Sequence, residues 1–198
     1  MEMNDHVHSA HAENNSSMNL LDRKSFGLVA EVAETRAKQL AEPLSLFESY
    51  IYSATSIRNS FGSDRFENLV IECATVVSKS VLVPGAKHTR CGPVAFMTLL
   101  PGVHIDEAVR IALLVRDGLV RTFDATPEGA GLTVNIGVAC CPSSSDWTLW
   151  ELINLASDRV QGAHNNGANS VLACDNEPFG CARYADWPYV PYLVGADP

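Results

Sequence analysis

The sequence predicts an α+β domain, with a central, mostly antiparallel sheet and helices packed on it. Three observations predict it. Apolar residues recur at three- and four-residue spacing in four separate stretches, as amphipathic helices require. Leu132, Val134, Ile136 and Val138 alternate with Thr133, Asn135 and Gly137, the two-residue period of a half-buried strand. Two runs meet at Cys91-Gly92-Pro93, a hairpin turn. Strands separated by helices, together with one hairpin, imply that architecture.

Residues 1 to about 18 lack periodicity and read as a disordered tail. Its His6, His8 and His11 are expected to be solvated and not to hold a metal. From Asp22 the spacing turns helical, through Phe26, Val29, Ala30, Ala33, Ala37 and Leu40, and Pro43 ends the segment. Leu44 to Ala54 reads as a strand, followed by a turn at Phe61-Gly62-Ser63. Phe66, Leu69, Val70, Cys73, Val76 and Val77 mark a second helix. The hairpin comes next, and its second strand, Val94 to Leu100, stops at Pro101-Gly102. A third helix is expected from about Ile105 to Leu119. After the alternating strand, Asp146 or Thr148 caps a fourth helix, and Glu151 stands three residues beyond Thr148 as in a capping box. Asn166-Gly167 ends it, and Ser170 to Cys174 forms a short last strand.

The 198 residues, 46% hydrophobic and 19% charged, suit one domain with a substantial core. A net charge of −9 argues against nucleic acid or an anionic membrane surface as a partner, because both repel a net anion. No run approaches the roughly 20 apolar residues that span a bilayer, and no basic stretch leads into an apolar leader, so a cytoplasmic protein is expected. The six cysteines match no zinc spacing and several lie in apolar runs, which favours reduced thiols.

Short segments placed along this order resemble the GGDEF domain, the diguanylate cyclase fold of bacterial signalling. Asn19 to Phe26 resembles the segment GLxNRRxF, and Ile57-Arg-Asn-Ser-Phe-Gly62 stands where the family has INDxYG. Arg90 to Pro101 falls on RYGGDEFxxLLP. Leu132 to Ala139 is similar to VTVSIGVA, and Ala156 to Asn169 to ADxALYxAKxxGRN. The resemblance covers about residues 19 to 174 and implies a nucleotidyl-cyclase-like fold with a ferredoxin-like core. Residues 175–198 lie beyond it as a proline- and aromatic-rich extension.

Diguanylate cyclases join two GTP molecules with Mg²⁺, which takes hard oxygen ligands and neutralises the triphosphate. The positions that match the family's metal-binding carboxylates are Tyr50 and Val94. A phenol stays protonated near neutral pH and valine has no donor atom. The signature turn reads Gly92, Pro93, Val94, Ala95 and Phe96. Pro93 fixes φ and removes an N–H, so the turn is no longer a nucleotide cradle. Arg58 and Glu67 fall on the guanine-reading positions, His164 and Ala168 on the phosphate-contacting ones. A one-residue slip would bring Asn59 to a base contact but restores no metal ligand. Val83 and Ala86 replace the RxxD of the product-inhibition site.

The resemblance therefore implies a degenerate domain, without catalysis or cofactor, kept for its surface as a regulatory or protein-interaction module in cyclic di-GMP-related signalling. Active relatives face each other as dimers, so a homodimer, or a heterodimer with another GGDEF protein, is the expected mode of partnership. The alternatives are a diguanylate cyclase with relocated ligands and a receptor for GTP or cyclic di-GMP. In the extension, Tyr184, Trp187, Tyr189 and Tyr192 alternate with prolines and form a candidate interaction strip or a clamp on the domain itself. Cys91 near His88 suggests a thiol and base, but with no third orienting group it reads as coincidence.

Overall fold

The computed structural model describes residues 20–141 and 146–173. Helix α1 (Arg23–Leu40) starts where the Asp22 carboxylate accepts the Ser25 N–H at 2.9 Å. It ends at Ala41, which takes a left-handed conformation just before Pro43. Strand β1 (Leu44–Tyr52) follows. It is shorter than the sequence suggests, because Ser53 turns the chain at φ 64° into a helix, α2 (Ala54–Phe61). That helix was not legible: its two buried apolar residues, Ala54 and Ile57, are too few to set a period among serines and Arg58.

Helix α3 (Ser63–Ser80) leads to the hairpin of β2 (Lys87–Arg90) and β3 (Ala95–Pro101). Helix α4 (Ile105–Asp124), a 3₁₀ turn at Pro127–Gly129 and strand β4 (Thr133–Cys141) come next. Helix α5 (Leu149–Asn166) opens on a full capping box between Thr148 and Glu151, and β5 (Val171–Leu172) closes the described chain.

The sheet order is β2-β3-β1-β4-β5. All pairs are antiparallel except β4 with β5, which run parallel. The alternation along β1 sends Phe47 and Ile51 to one face, against Phe66, Val70, Val77, Val115 and Leu119 of α3 and α4. Leu44 and Leu46 point to the other, against Phe26 and Ala30 of α1 and Leu152 and Ala156 of α5. The sheet is thus a middle layer between two helical ones. For β4 this changes the expectation of half-burial: Asn135 and Gly137, on its more polar side, are fully covered, Asn135 at 0% exposure. Glycine at 137 is what lets α5 lie so close, since a Cβ there would stand 2.0 Å from the Ala156 carbonyl oxygen. Among the described residues no helix is long and apolar enough to cross a membrane.

Candidate functional site

Of the residues singled out by the resemblance, Tyr50, the signature turn and His164 meet where β1, β4 and the end of α5 come together. Tyr50 lies opposite Ala95 on β3 and Asn135 on β4. Two residues on, Tyr52 shares its face of the strand. The Tyr50 and Tyr52 rings stand 4.6 Å apart at 54°. Tyr52 then stacks flat on His164, with centroids 3.9 Å apart and planes within 5°. Burial, reinforced by Tyr50 and Glu48, pushes the Tyr52 phenol up to about 12, so it is a neutral ring at any physiological pH.

Asn135 fixes the other side of this stack. Its Oδ1 accepts the Ser170 N–H at 2.8 Å, which leaves its Nδ2 facing His164 Nδ1 at 3.2 Å. The amide N–H therefore points at the imidazole Nδ1. Tyr50, Tyr52, His164 and Asn135 are thereby bound to one another across three elements. Ala168, at the second phosphate position, is exposed and follows the helix. Its neighbour Asn169 turns back at φ 55° and accepts the Val134 N–H at 2.9 Å. Replacing Asn135 by alanine removes the acceptor held against Ser170 and the donor held against His164. The expected loss is about 1–3 kcal/mol, two hydrogen bonds at about 0.5–1.5 kcal/mol each, read as a lower midpoint in urea.

The signature turn is held just as firmly. The N–H groups of Cys91 and Gly92 both donate to the Ala95 carbonyl, at 2.9 and 3.3 Å. Arg90 folds over the turn and donates from Nε to the carbonyls of Gly92 (3.2 Å) and Pro93 (3.1 Å), and from Nη2 to Pro93 at 2.6 Å. Arg23 of α1 donates to the Cys91 carbonyl. Gly92 does not use a left-handed φ, and Val94, Ala95 and Phe96 are buried, at 4%, 2% and 0% exposure. The Val94 side chain joins the α3/α4 core, while its carbonyl accepts the Ile51 N–H at 3.1 Å.

The remaining positions are spread apart. Glu67 pairs with Arg90 Nη1 at 3.2 Å, so its carboxylate is tied to the turn. Arg58 is exposed and lays its guanidinium 5.9 Å from the Phe66 ring. Val83 and Ala86 pack on the core, with the Ala86 N–H donating to the Val83 carbonyl at 3.1 Å. Tyr184, Trp187, Tyr189 and Tyr192 lie outside the described residues.

Magnesium does not fit this arrangement. Tyr50 is an aromatic partner of Tyr52 and Val94 is a core residue. No group of three histidine, cysteine or acidic side chains among the described residues is placed to hold a metal. Cys91 and His88 do not act together either: His88 is buried with Nδ1 at 3.0 Å from Thr98 Oγ1, and burial drops its imidazole to about 4. The Cys91 thiol instead faces Glu48 at 3.8 Å, and burial and that carboxyl push its proton affinity well up. A thiol so held is no nucleophile. Sequence reasoning missed Tyr52, Arg90, Asn135 and Glu48. The signal for the first and last was the even-numbered face of β1, where Glu48, Tyr50 and Tyr52 follow Leu44 and Leu46.

Comparison with solved structures places this architecture. The active GGEEF domain of a diguanylate cyclase from Vibrio cholerae superposes with a TM-score of 0.68 at 20% identity, over 79% of this chain and 99% of that one. The chain has the GGDEF fold. The GGDEF domain of DgcB from Caulobacter crescentus, solved in complex with c-di-GMP, matches with a TM-score of 0.69 at 18% identity, over 78% of this chain and 91% of that one. Diguanylate cyclase SiaD from Pseudomonas aeruginosa, solved with its activator SiaC, gives 0.68 at 17% identity, over 85% and 68% of the two chains. No protein-family model matches the sequence.

Proposed function

We propose that this GGDEF-fold domain is non-catalytic and serves cyclic di-GMP-related signalling in a bacterial cytoplasm as a regulatory module that binds another protein. One observation carries the reading: the side chains at the positions of the metal carboxylate and a phosphate contact, Tyr50 and His164, are joined through Tyr52 and Asn135 into a single packed unit. A nucleoside triphosphate placed there would meet aromatic rings and an amide where the family has a carboxylate-held metal, and would bring about four negative charges to a chain of net charge −9. The acid at a base-reading position, Glu67, is already engaged by Arg90, which weakens the receptor alternative. Partnership through a homodimer or a heterodimer with another GGDEF protein follows from the fold by analogy.

The test is incubation of purified protein with GTP and Mg²⁺, followed by chromatography, with calorimetry against GTP and cyclic di-GMP. Neither turnover nor binding heat is expected. Cyclic di-GMP in the product would overturn the non-catalytic reading, and a saturable calorimetric isotherm would replace the protein-contact role by a receptor role.

A further inference from the structure

Between α3 and α4 runs a cleft of about 540 Å³. The two helices are in close contact at Gly118, where a Cβ would stand 2.7 Å from Val76 Cγ1, and the cleft extends from there to Ala125. Lys79 of α3 and Arg121 of α4 flank it. Both are exposed, and among the described residues neither is in an ion pair. Thr75 and Thr122, which also line it, spend their hydroxyls on carbonyls of their own helices, at 2.8 and 3.0 Å. The cleft therefore offers apolar surface between two cations, with Glu72 as the one acid on its wall. Leu114, 59% exposed, continues the Gly118 row one turn earlier on α4.

The chain leaves the described domain beside this layer. Val171 of β5 and Ala173 just after it pack on the α3/α4 cluster, and β5 touches α4. Residues 174–198 follow, outside the described residues. At up to about 3.3–3.6 Å per residue, they cross the roughly 10 Å breadth of a helix within a few positions. Their composition is the counterpart of the cleft. Four acids, Asp175, Glu177, Asp186 and Asp197, stand against one cation, Arg183, and the aromatic residues alternate with prolines. A chain of net charge −9 repels an acidic segment, and unpaired cations beside an apolar floor offset that repulsion.

We propose that the cleft between α3 and α4 is the docking site of the chain's own extension, residues 174–198. Acids of the extension meet Lys79 and Arg121, and its aromatic side chains cover Val76, Gly118 and Leu114. Each ion pair on so open a wall contributes little by itself. Aromatic burial carries the affinity, and the charges select the wall. Proline-spaced segments are already extended and lose little entropy on docking. The tether helps as well, since it holds the segment at high effective concentration beside α4. Of the two roles open to the extension this is the clamp, and it is independent of whether the domain binds a nucleotide.

The experiment couples lysines to carboxylates with a zero-length carbodiimide in the full 198-residue chain and maps the joined peptides by mass spectrometry. Lys79 is expected to join an acid of residues 175–197 at least about threefold more often than Lys24 or Lys38, because docking raises the local concentration at one wall only. Those two lysines serve as references, being exposed on α1 across the sheet. Arg121→Glu, an exposed substitution that leaves Lys79 in place, is expected to cut the Lys79 yield at least about threefold. Equal coupling at all three lysines, or a Lys79 yield indifferent to Arg121→Glu, overturns the clamp. An equal mixture of isotope-labelled and unlabelled protein identifies the source of the acid. Joined peptides of a single label support docking within the chain. Mixed labels give the cleft to a second copy and refute the clamp, and no coupling between Lys79 and the extension refutes it too, leaving the cleft to another protein's acidic segment.

Discussion

Gly137→Ala is expected to cost at least the upper end of the roughly 1–3 kcal/mol usual for overpacking. The reason is what the added methyl meets. An ideal Cβ at 137 falls 2.0 Å from the Ala156 carbonyl oxygen, 2.4 Å from the Val160 nitrogen and 2.8 Å from the Arg159 carbonyl carbon. These are backbone atoms of α5, so no rotamer change relieves them. The helix must rise off the sheet by more than an ångström's worth of contact, and Leu152 and Ala156 rise with it. Gly27→Ala on α1 is the control: nothing lies within 4 Å of its added Cβ, and removing a helical glycine is expected to gain about 0.5–1 kcal/mol. Urea denaturation of the pair reads both, with opposite signs. A Gly137→Ala midpoint equal to that of the parent protein would mean that α5 does not rest on β4 in this way.

Phe47→Ala is expected to lower stability by roughly 3–5 kcal/mol, the range for removing a buried aromatic side chain. Phe47 is 0% exposed, on the strand that pairs with both β3 and β4, opposite Thr98 and Val138. It faces the α3/α4 core, so the void opens at the centre of the larger apolar cluster, where surrounding elements are fixed on every side. A domain of this size has about twice that stability in total. Thermal melting by circular dichroism should fall by roughly 10 °C or more. Val32→Ala, on the 68% exposed face of α1, should stay within about 0.5 kcal/mol of the parent. If Phe47→Ala melted with Val32→Ala, the placement of β1 at the centre of the sheet would be wrong.

The long periodic segments were readable because each carries a whole helical face: α1, α3, α4 and α5 stand where the apolar spacing of Phe26, Phe66, Ala108 and Leu152 sets them. Capping by Thr148, one of the two residues the spacing offered, was readable too, because a cap is a local arrangement of one side chain and one amide. What escaped is non-local. The burial of Asn135 and Gly137 depends on α5 crossing behind β4, and no window of sequence contains both. The parallel pairing of β5 likewise depends on where α5 delivers the chain. At the site, the resemblance named Tyr50 and His164 but not their joining, since it assigns no role to Tyr52 or to Asn135, which lies in a matched segment without one. A carboxyl such as Glu48 in an apolar strand is visible in one dimension, while its two partners lie 43 and 109 residues away along the chain.

The order of strands in the sheet also sets a schedule for folding. β1 lies between β3 and β4, and its partners are made late: Leu44 pairs with Pro101 on one side and with Cys141 on the other. During synthesis this central strand, with Leu44, Leu46, Phe47 and Ile51, therefore waits, with both edges open, until most of the domain has been translated. Pairings over such separations are slow to form, and an open apolar strand is a template for association with another chain. For this sequence the dangerous interval is the one before β4 arrives.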